Sequence, residues 1–403
     1  MNPPVTPIDR HNRALLDLVH PANWVPPVPK DIYDLVVIGA GTAGLVTAAG
    51  AAGLGARVAL VERHLMGGDC LNVGCVPSKA LLRSAHAAAE VLRAGDFGVN
   101  LACGASVDFA AVMERLRRLR AGIAPHDSAR RFTELGVDVF FGEARFVDGQ
   151  QVEVGNARLR FRRAVIATGA RAILPSVPGL AEARPLTNET VFNLTELPRR
   201  LAVIGGGPIG CELAQAFRRL GSEVTLIHGK ANLLEREDPE AAAVVQAALQ
   251  RDGVQLKLGT RVEQVDNASG SPRLHLTPPG DGKAVEVDAI LVAAGRAPNV
   301  SGLGLEGVGV EFDLREGIRT DDFLRTTHPR IYACGDVCLR WKFTHAADFA
   351  ARIVIQNALF ALGPVGRRRV GSLNMAWCTY TDPELAHTGL TLEEAREQGL
   401  ELD

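Results

Sequence analysis

Two copies of one short pattern constrain this fold more than anything else in the chain. Leu35-Val36-Val37-Ile38 is an uncharged apolar run that stops at Gly39-Ala40-Gly41-Thr42-Ala43-Gly44 and continues into an alanine-rich stretch to about Leu54. The order returns 166 residues later, as Leu201–Ile204, Gly205-Gly206-Gly207-Pro208-Ile209-Gly210 and Cys211–Leu220. A second apolar run follows each copy, Arg57–Val61 and Val224–Ile227. The residue after it, Glu62 or His228, lies 23 positions beyond the first glycine in both copies. A short strand apolar at every position, followed at once by a helix, is the mark of a parallel sheet buried on both faces. The spacing predicts an α/β chain with two Rossmann-like units.

Each glycine of the pattern has a mechanical role. Gly39 and Gly205 allow the tight turn, Gly41 and Gly207 let backbone approach a pyrophosphate, and Gly44 and Gly210 let helix pack closely on strand. The phosphates then sit over a helix N-terminus, where unpaired N–H groups favour an anion. Two such units imply two dinucleotides, and a chain holding two dinucleotides is suited to passing electrons between them. Glu62 can accept from both hydroxyls of an unphosphorylated ribose, which suits FAD or NAD. His228 cannot do so as a carboxylate would, and Lys230 follows two residues on, which favours NADP over NAD at the second site.

Composition removes other classes. Lys and Arg total 44 against 46 Asp and Glu, a net charge of −2, and only six of the cations are lysine, so bulk attraction to nucleic acid is not expected. Leu35–Ala56 is 22 residues without a charge, long enough to span a bilayer, but it holds six glycines and begins as a strand. No membrane segment is expected. The opening MNPPVTPIDR has neither the basic nor the apolar region of a secretory leader, and a cytoplasmic protein is expected. Residues 1–30 are polar and proline-rich apart from a helical period around Ala14–Val19, and read as a loosely attached extension.

Between the two units lies Gly67-Gly68-Asp69-Cys70-Leu71-Asn72-Val73-Gly74-Cys75-Val76-Pro77-Ser78-Lys79. Two cysteines five apart on one helical face region are close enough to allow a bridge. Ser78–Leu92 has helical periodicity, which sets them near a helix N-terminus that stabilises a thiolate, with Lys79 adding positive charge. A disulfide in a cytosolic chain is usually catalytic. Inert buried thiols and half of a zinc site are the alternatives, although no second Cys/His pair stands nearby and no structural metal is expected. Cys103, Cys211, Cys334, Cys338 and Cys378 read as packing residues.

With these motifs in place, the order of the two glycine turns, the GGDCLNVGCVPSK segment, Ala167-Thr168-Gly169, Ala294-Gly295-Arg296-Ala297-Pro298-Asn299 and Tyr332-Ala333-Cys334-Gly335-Asp336 resembles that of class I pyridine nucleotide-disulfide oxidoreductases. The resemblance runs from about Tyr33 to the C-terminus. It is nearest to the mercuric reductase branch, through the neutral end of the second strand, Arg236-Glu237-Asp238-Pro239 and Tyr380-Thr381-Asp382-Pro383-Glu384. It implies electron flow from NAD(P)H through FAD to a Cys70–Cys75 disulfide and on to a small-molecule or metal-ion substrate, Hg(II) or an organic dithiol. Cys75 would face the flavin and Cys70 would be the outward thiol, and both would meet Hg(II) if that ion is the substrate. Lys79 would sit near the flavin, paired with Glu212; these four are the implied catalytic residues. Implied FAD contacts are Gly39, Gly41, Gly44, Glu62, Arg63, Gly68, Lys79, Gly142, Thr168, Gly169, Asp336, Thr344, His345 and Ala346. Implied NAD(P) contacts are Gly205, Gly207, Gly210, His228, Lys230, Val262 and Gly295.

The resemblance also implies a domain plan. Residues 1–30 form the extension, 31–185 the first part of an FAD domain, 186–296 an NAD(P) domain, 297–366 the second part of the FAD domain, and 367–403 the start of an α+β interface domain. That last domain, through which the family forms homodimers, reads as truncated: Asn374–Leu400 gives a strand, a turn and the start of a helix. The chain is therefore expected to be a fragment, without the terminal residues that serve dithiol substrates or deliver mercury. A flavin-binding fragment without turnover is the rival reading of another class.

Overall fold

A computed structural model describes residues 5–100, 106–267, 270–277, 284–361, 365–372 and 374–401. The chain forms two units. The first comprises Met1–Val76, Arg117–Arg171 and Arg296–Leu373, and the second Pro77–Leu116, Ala172–Gly295 and Asn374–Asp403.

In the first unit the strands are β1 (Tyr33–Ile38), β2 (Val58–Glu62), β3 (Val137–Phe141), β4 (Ala144–Asp148), β5 (Gln151–Val154) and β6 (Ala157–Ile166). Their order is β3-β2-β1-β6-β5-β4, with Ile331–Ala333 also paired to β6. The long strand β6 serves two sheets. Its first residues pair antiparallel with β5, and Phe161–Ile166 pair parallel with β1. Along β1, Leu35 and Val37 enter one apolar cluster while Val36 and Ile38 enter another. Alternate side chains point to opposite faces and both faces are covered, so every position is apolar. Helix α2 (Thr42–Gly53) covers one face together with Thr344–Ile355, where a Cβ on Gly50 would come within 2.6 Å of Ile355.

The N-terminal segment departs from the expected loose extension. Helix α1 (Arg10–Val19) is capped by Asp9, which accepts from the amides of His11 and Asn12. Leu15 and Val19 are fully buried in the cluster that holds Leu35 and Val37. Trp24 Nε1 donates to the Val139 carbonyl. Polar composition predicted looseness; the two apolar residues, one helical turn apart, decide otherwise.

The second unit repeats the parallel grammar. Gln255–Lys257, Glu223–Ile227, Arg200–Ile204 and Ala289–Val292 lie side by side in that order, all parallel. A three-stranded antiparallel sheet follows, Arg261–Asp266, Arg273–Thr277 and Val285–Glu286. The C-terminal stretch forms the hairpin Ala376–Thr379 with Leu385–Thr388, then the helix Leu392–Glu397, opened by a Thr391/Glu394 capping box. Among the described residues no helix is long and apolar enough to cross a membrane, and Leu35–Ala56 is a strand, a turn and a helix.

The third glycines fix how closely helix meets strand. A Cβ on Gly44 would lie 1.7 Å from the Gly39 carbonyl oxygen, and one on Gly210 would lie 1.9 Å from that of Gly205. Both contacts are to backbone, which cannot turn aside. Gly44→Ala is expected to cost about 3 kcal/mol, the upper part of the overpacking range, read as an earlier cooperative thermal transition. Gly53→Ala, with open space around its Cβ, is the matched control that should not destabilise.

Candidate functional site

In the first unit the glycine turn and the cysteine segment share a crowded backbone contact. Gly39 has φ +103° and Gly68 φ +55°, and a Cβ on Gly68 would meet the Gly41 Cα at 2.5 Å. The Gly67 amide donates to the Ala40 carbonyl at 2.8 Å. Glu62 accepts from Ala40 N at 2.7 Å and from His64 N at 2.8 Å. Burial raises its pKa in spite of those two donors. Each oxygen keeps a lone pair, so the acid can still receive a hydroxyl. Arg63 beside it is exposed.

Gly142, with φ +150°, donates to the Glu62 carbonyl at 2.9 Å. Thr168 and Gly169 are tied to Asn299: the Thr168 hydroxyl donates to the Asn299 carbonyl at 2.7 Å, and Asn299 N donates to Gly169 O at 2.9 Å. Asp336 is raised in pKa by burial, against the lowering pull of Arg296, whose Nε lies 3.7 Å away. Arg296 also pairs with Asp69, directly before Cys70. Ala346 is buried and His345 is exposed, its ring stacked on Phe343.

The two cysteines come together, though not on one helix as their spacing suggested. Cys70 is the third residue of α3 (Gly68–Asn72) and Cys75 the first of α4 (Cys75–Leu92). The break falls at Val73-Gly74, where a Cβ on Gly74 would meet the Asp69 carbonyl oxygen at 2.7 Å. A hydrogen bond to Cys75 is the largest cause that drives the Cys70 pKa far up, followed by burial and the Cys75 charge. Cys75 meets the Thr344 hydroxyl at 3.1 Å and stands at the N-terminus of an 18-residue helix, whose dipole favours negative charge there. Cys75 is exposed and Cys70 half-buried, so exposure does not mark Cys70 as the outward thiol.

Of the remaining cysteines, Cys211 donates to the Gly206 carbonyl and burial pushes its thiol up to about 12. Cys338 donates to Gly335 O and is likewise pushed up to about 12, first by burial, while Cys334 is fully buried. Cys378 is half-buried in the C-terminal hairpin, and Cys103 lies outside the described residues. Among the described residues no three His, Cys, Asp or Glu gather as metal ligands would.

The second unit joins Lys79 to Glu212. Lys79 is one turn along α4 from Cys75. Its Nζ lies 2.9 Å from Oε2 of Glu212, a buried acid on Pro208–Arg219. That helix begins at Pro208 rather than Cys211, since proline suits the first helical position. Glu212 therefore lies beyond the first turn, and helix-start preference does not account for it. Sequence reasoning missed Tyr380, whose amide donates to Glu212 Oε1 at 3.0 Å and whose ring lies 4.4 Å from Lys79 Nζ.

The second glycine turn reproduces the first: a Cβ would meet a carbonyl oxygen at 2.4 Å both on Gly39 and on Gly205. Gly207 caps the helix with open space around it. His228 Nδ1 accepts from Gly206 N at 3.1 Å, as Glu62 accepts from Ala40. The imidazole thus does for the turn what the carboxylate does in the first unit. Burial, then the Lys230 charge, lower its pKa, and its Nε2 is buried with no partner among the described residues. An orphaned donor there fits a ribose that would take it. Lys230 is exposed, 3.8 Å from Glu235. A second cation that no local pattern signals arrives from the strand Arg261–Asp266: a Cβ on Gly229 would lie 3.1 Å from Arg261 Nε. Val262 is a buried packing residue, and Gly295, with φ +125°, accepts from Ile173 N.

A family model described as pyridine nucleotide-disulphide oxidoreductase matches residues 33–351. Mercuric reductase from Lysinibacillus sphaericus is 37% identical over 379 residues, which is 93% of this chain and 68% of that protein. Mercuric reductase from Bacillus cereus is 37% identical over 371 residues, 92% of this chain but 58% of that protein. Dihydrolipoyl dehydrogenase from Chlamydia muridarum is 34% identical over 380 residues, 92% of this chain and 78% of that protein. Among solved structures, the HOCl-induced flavoprotein disulfide reductase RclA from Escherichia coli superposes with a TM-score of 0.79 at 30% identity, covering 91% of this chain and 80% of that one.

Proposed function

The chain belongs to the pyridine nucleotide-disulphide oxidoreductase family, and from that premise we propose that it takes electrons from NAD(P)H through FAD to the Cys70–Cys75 pair and on to Hg(II). FAD and NAD(P)H are the cofactors of this family. The observation that carries the reading is the hydrogen-bonded thiol pair beside Thr344, in the unit whose glycine turn crowds against the cysteine segment.

In the first unit Gly39, Gly41, Gly44, Glu62 and Asp336 would hold FAD. In the second, Gly205, Gly207, Gly210 and His228 would hold the nicotinamide dinucleotide, with Lys230 and Arg261 favouring a 2′-phosphate and so NADPH. When bound, the flavin supplies the two-electron carrier between nicotinamide and sulfur. The chain's own residues divide the rest. Cys75, at the N-terminus of α4 and against the Thr344 hydroxyl, is the sulfur placed to carry negative charge. Glu212 holds the Lys79 ammonium in place through a buried ion pair, and the Tyr380 ring lies beside that ammonium. Reduction of Hg(II) to Hg(0) takes two electrons, the number that separates a disulfide from two thiols, and soft thiolates suit a soft ion. The protein is read as a cytoplasmic homodimer that binds neither nucleic acid nor membrane.

The test is NADPH oxidation driven by Hg(II), set beside NAD reduction driven by dihydrolipoamide. Mercury-dependent oxidation, with two new thiols per chain after NADPH alone, is the expected result. Dihydrolipoamide activity without mercury activity moves the substrate to an organic dithiol, the reading that the dihydrolipoyl dehydrogenase relatives favour. Bound flavin that NADPH fails to reduce would leave a flavin-binding chain without turnover.

A further inference from the structure

The N-terminal helix reaches the two-cysteine turn through buried polar groups that the reading above does not use. Asn12, fully buried on α1, donates through Nδ2 to the Pro7 carbonyl at 2.7 Å and accepts through Oδ1 from Arg120 Nη2 at 2.7 Å. The other arm of that guanidinium, Nη1, donates to the main-chain oxygen of Asn72 at 2.7 Å. Asn72 closes α3 between the two cysteines, and its own Nδ2 donates to the carbonyls of Met66 and Gly68 at 3.0 and 2.9 Å. Further along the chain, the Val19 carbonyl accepts from Met66 N at 3.1 Å, and His20 Nδ1 bonds to the His64 carbonyl. The helix and the residue after it thus grip the segment that leads into Cys70 and the one that leaves it.

Arg120 is 2% exposed, and its two direct partners are neutral oxygens. Its charge is answered from a distance by Asp9, which Arg117 Nε contacts at 2.5 Å. Burial, then the neighbouring Arg117, bring the Arg120 pKa down to about 10, so it stays charged at neutral pH. Burying a cation this way costs stability that an apolar side chain of similar length would not. What a two-armed guanidinium does, and an apolar side chain cannot, is fix the oxygens of two separate segments relative to each other.

We propose that Asn12 and Arg120 are positioning residues for the Cys70–Cys75 turn: the buried Asn12–Arg120–Asn72 linkage holds the two thiols at closing distance, so that the N-terminal helix sets how readily they oxidise. This rests on the redox reading of the pair given above. On oxidation the two thiols release two protons and two electrons as the S–S bond forms, and glutathione disulfide accepts both and leaves as two glutathione thiols. A looser turn lowers the effective concentration of one thiol at the other, and so disfavours the bridge.

The experiment equilibrates the full chain in glutathione redox buffers, quenches with acid, alkylates, and reads the tryptic peptide 64–79, which holds both cysteines. Asn12→Ala is expected to lower the oxidation constant about tenfold, which is about 30 mV for a two-electron couple. Asn12→Asp keeps an acceptor for Arg120 and should hold the wild-type constant, an outcome that a general loss of packing would not give. Arg120→Lys keeps the charge but not the two-armed reach; it should shift the constant in the same direction, and it carries the test if Asn12→Ala does not fold. A folded Asn12→Ala with the wild-type constant overturns the linkage and leaves the redox reading standing. A wild-type chain that forms no bridge at any buffer ratio sinks that reading, and the linkage with it.

Discussion

Cys75→Ser is expected to reduce NADPH-driven substrate turnover on the order of a thousandfold or more, the scale on which a member of a reacting unit acts. A hydroxyl can fill the space and still bond Thr344, but it cannot form or release a bridge to Cys70, so no disulfide remains to take two electrons onward to substrate. Cys70→Ser should fall as far, because the unit is the pair. Thr344→Val removes only the hydroxyl 3.1 Å from Cys75. A net hydrogen bond of about 1 kcal/mol corresponds to about a fivefold loss of rate. Cys75 is exposed, so Cys75→Ser should leave stability within about 0.5 kcal/mol. The measurement is NADPH oxidation with Hg(II) as acceptor, beside a thiol count before and after NADPH alone. A Cys75→Ser protein that keeps a tenth of wild-type turnover while gaining no thiols would move the chemistry away from the cysteines.

What the sequence shows best is what both faces of a sheet demand at once. Leu35–Ile38 and Leu201–Ile204 are apolar at every position because both faces of each strand are covered, and such runs are visible without any knowledge of partners. The limits of these elements shift by a few residues. Helix α4 begins at Cys75 rather than Ser78, and the second glycine-turn helix at Pro208 rather than Cys211. In each case the extra residues form a first turn that periodicity does not register.

The polar part of the site is far less legible, since its groups meet across long sequence separations. Glu62 and His228 stood out by equal spacing, but that both accept from the second residue of their glycine turns shows only in three dimensions. Asn12 sits in a stretch whose composition suggested looseness, and its partner Arg120 is 108 residues away. Arg261, Thr344 and Tyr380 likewise carry no local signal that sets them beside His228, Cys75 and Lys79. Lys79 and Glu212 are 133 apart and were paired only through resemblance.

A stability effect as large as that of Gly44→Ala is expected from Arg219→Ala. The Arg219 side chain is 4% exposed; its Nε donates to Asp252 at 2.7 Å and its Nη2 to Asp382 at 2.8 Å. Gln215 joins the same group, donating to Asp252 and to the Asp382 carbonyl and accepting from the Asp382 amide. Removing the guanidinium leaves the mostly buried Asp252 carboxylate without this cation, while the more exposed Asp382 keeps Arg93. Breaking a buried pair from one side costs about 3 kcal/mol, or about 10 °C in Tm for a unit of this size. Asp382→Asn keeps the backbone bonds and should cost about 1 kcal/mol, since Asp382 is the more exposed acid. Burial alone would raise the Asp382 pKa, but the Arg219 hydrogen bond and charge, with Arg93 behind them, hold it below the ordinary value. A carboxyl lowered in the folded state contributes stability that is complete above its unfolded pKa of about 3.9 and is lost as pH falls through the folded value. The difference between wild type and Arg219→Ala in urea unfolding should therefore be level from neutral pH down to about pH 5 and narrow below about pH 4. A difference just as large at the acid end would mean that Arg219 stabilises by packing, and that its pairing with Asp382 contributes nothing.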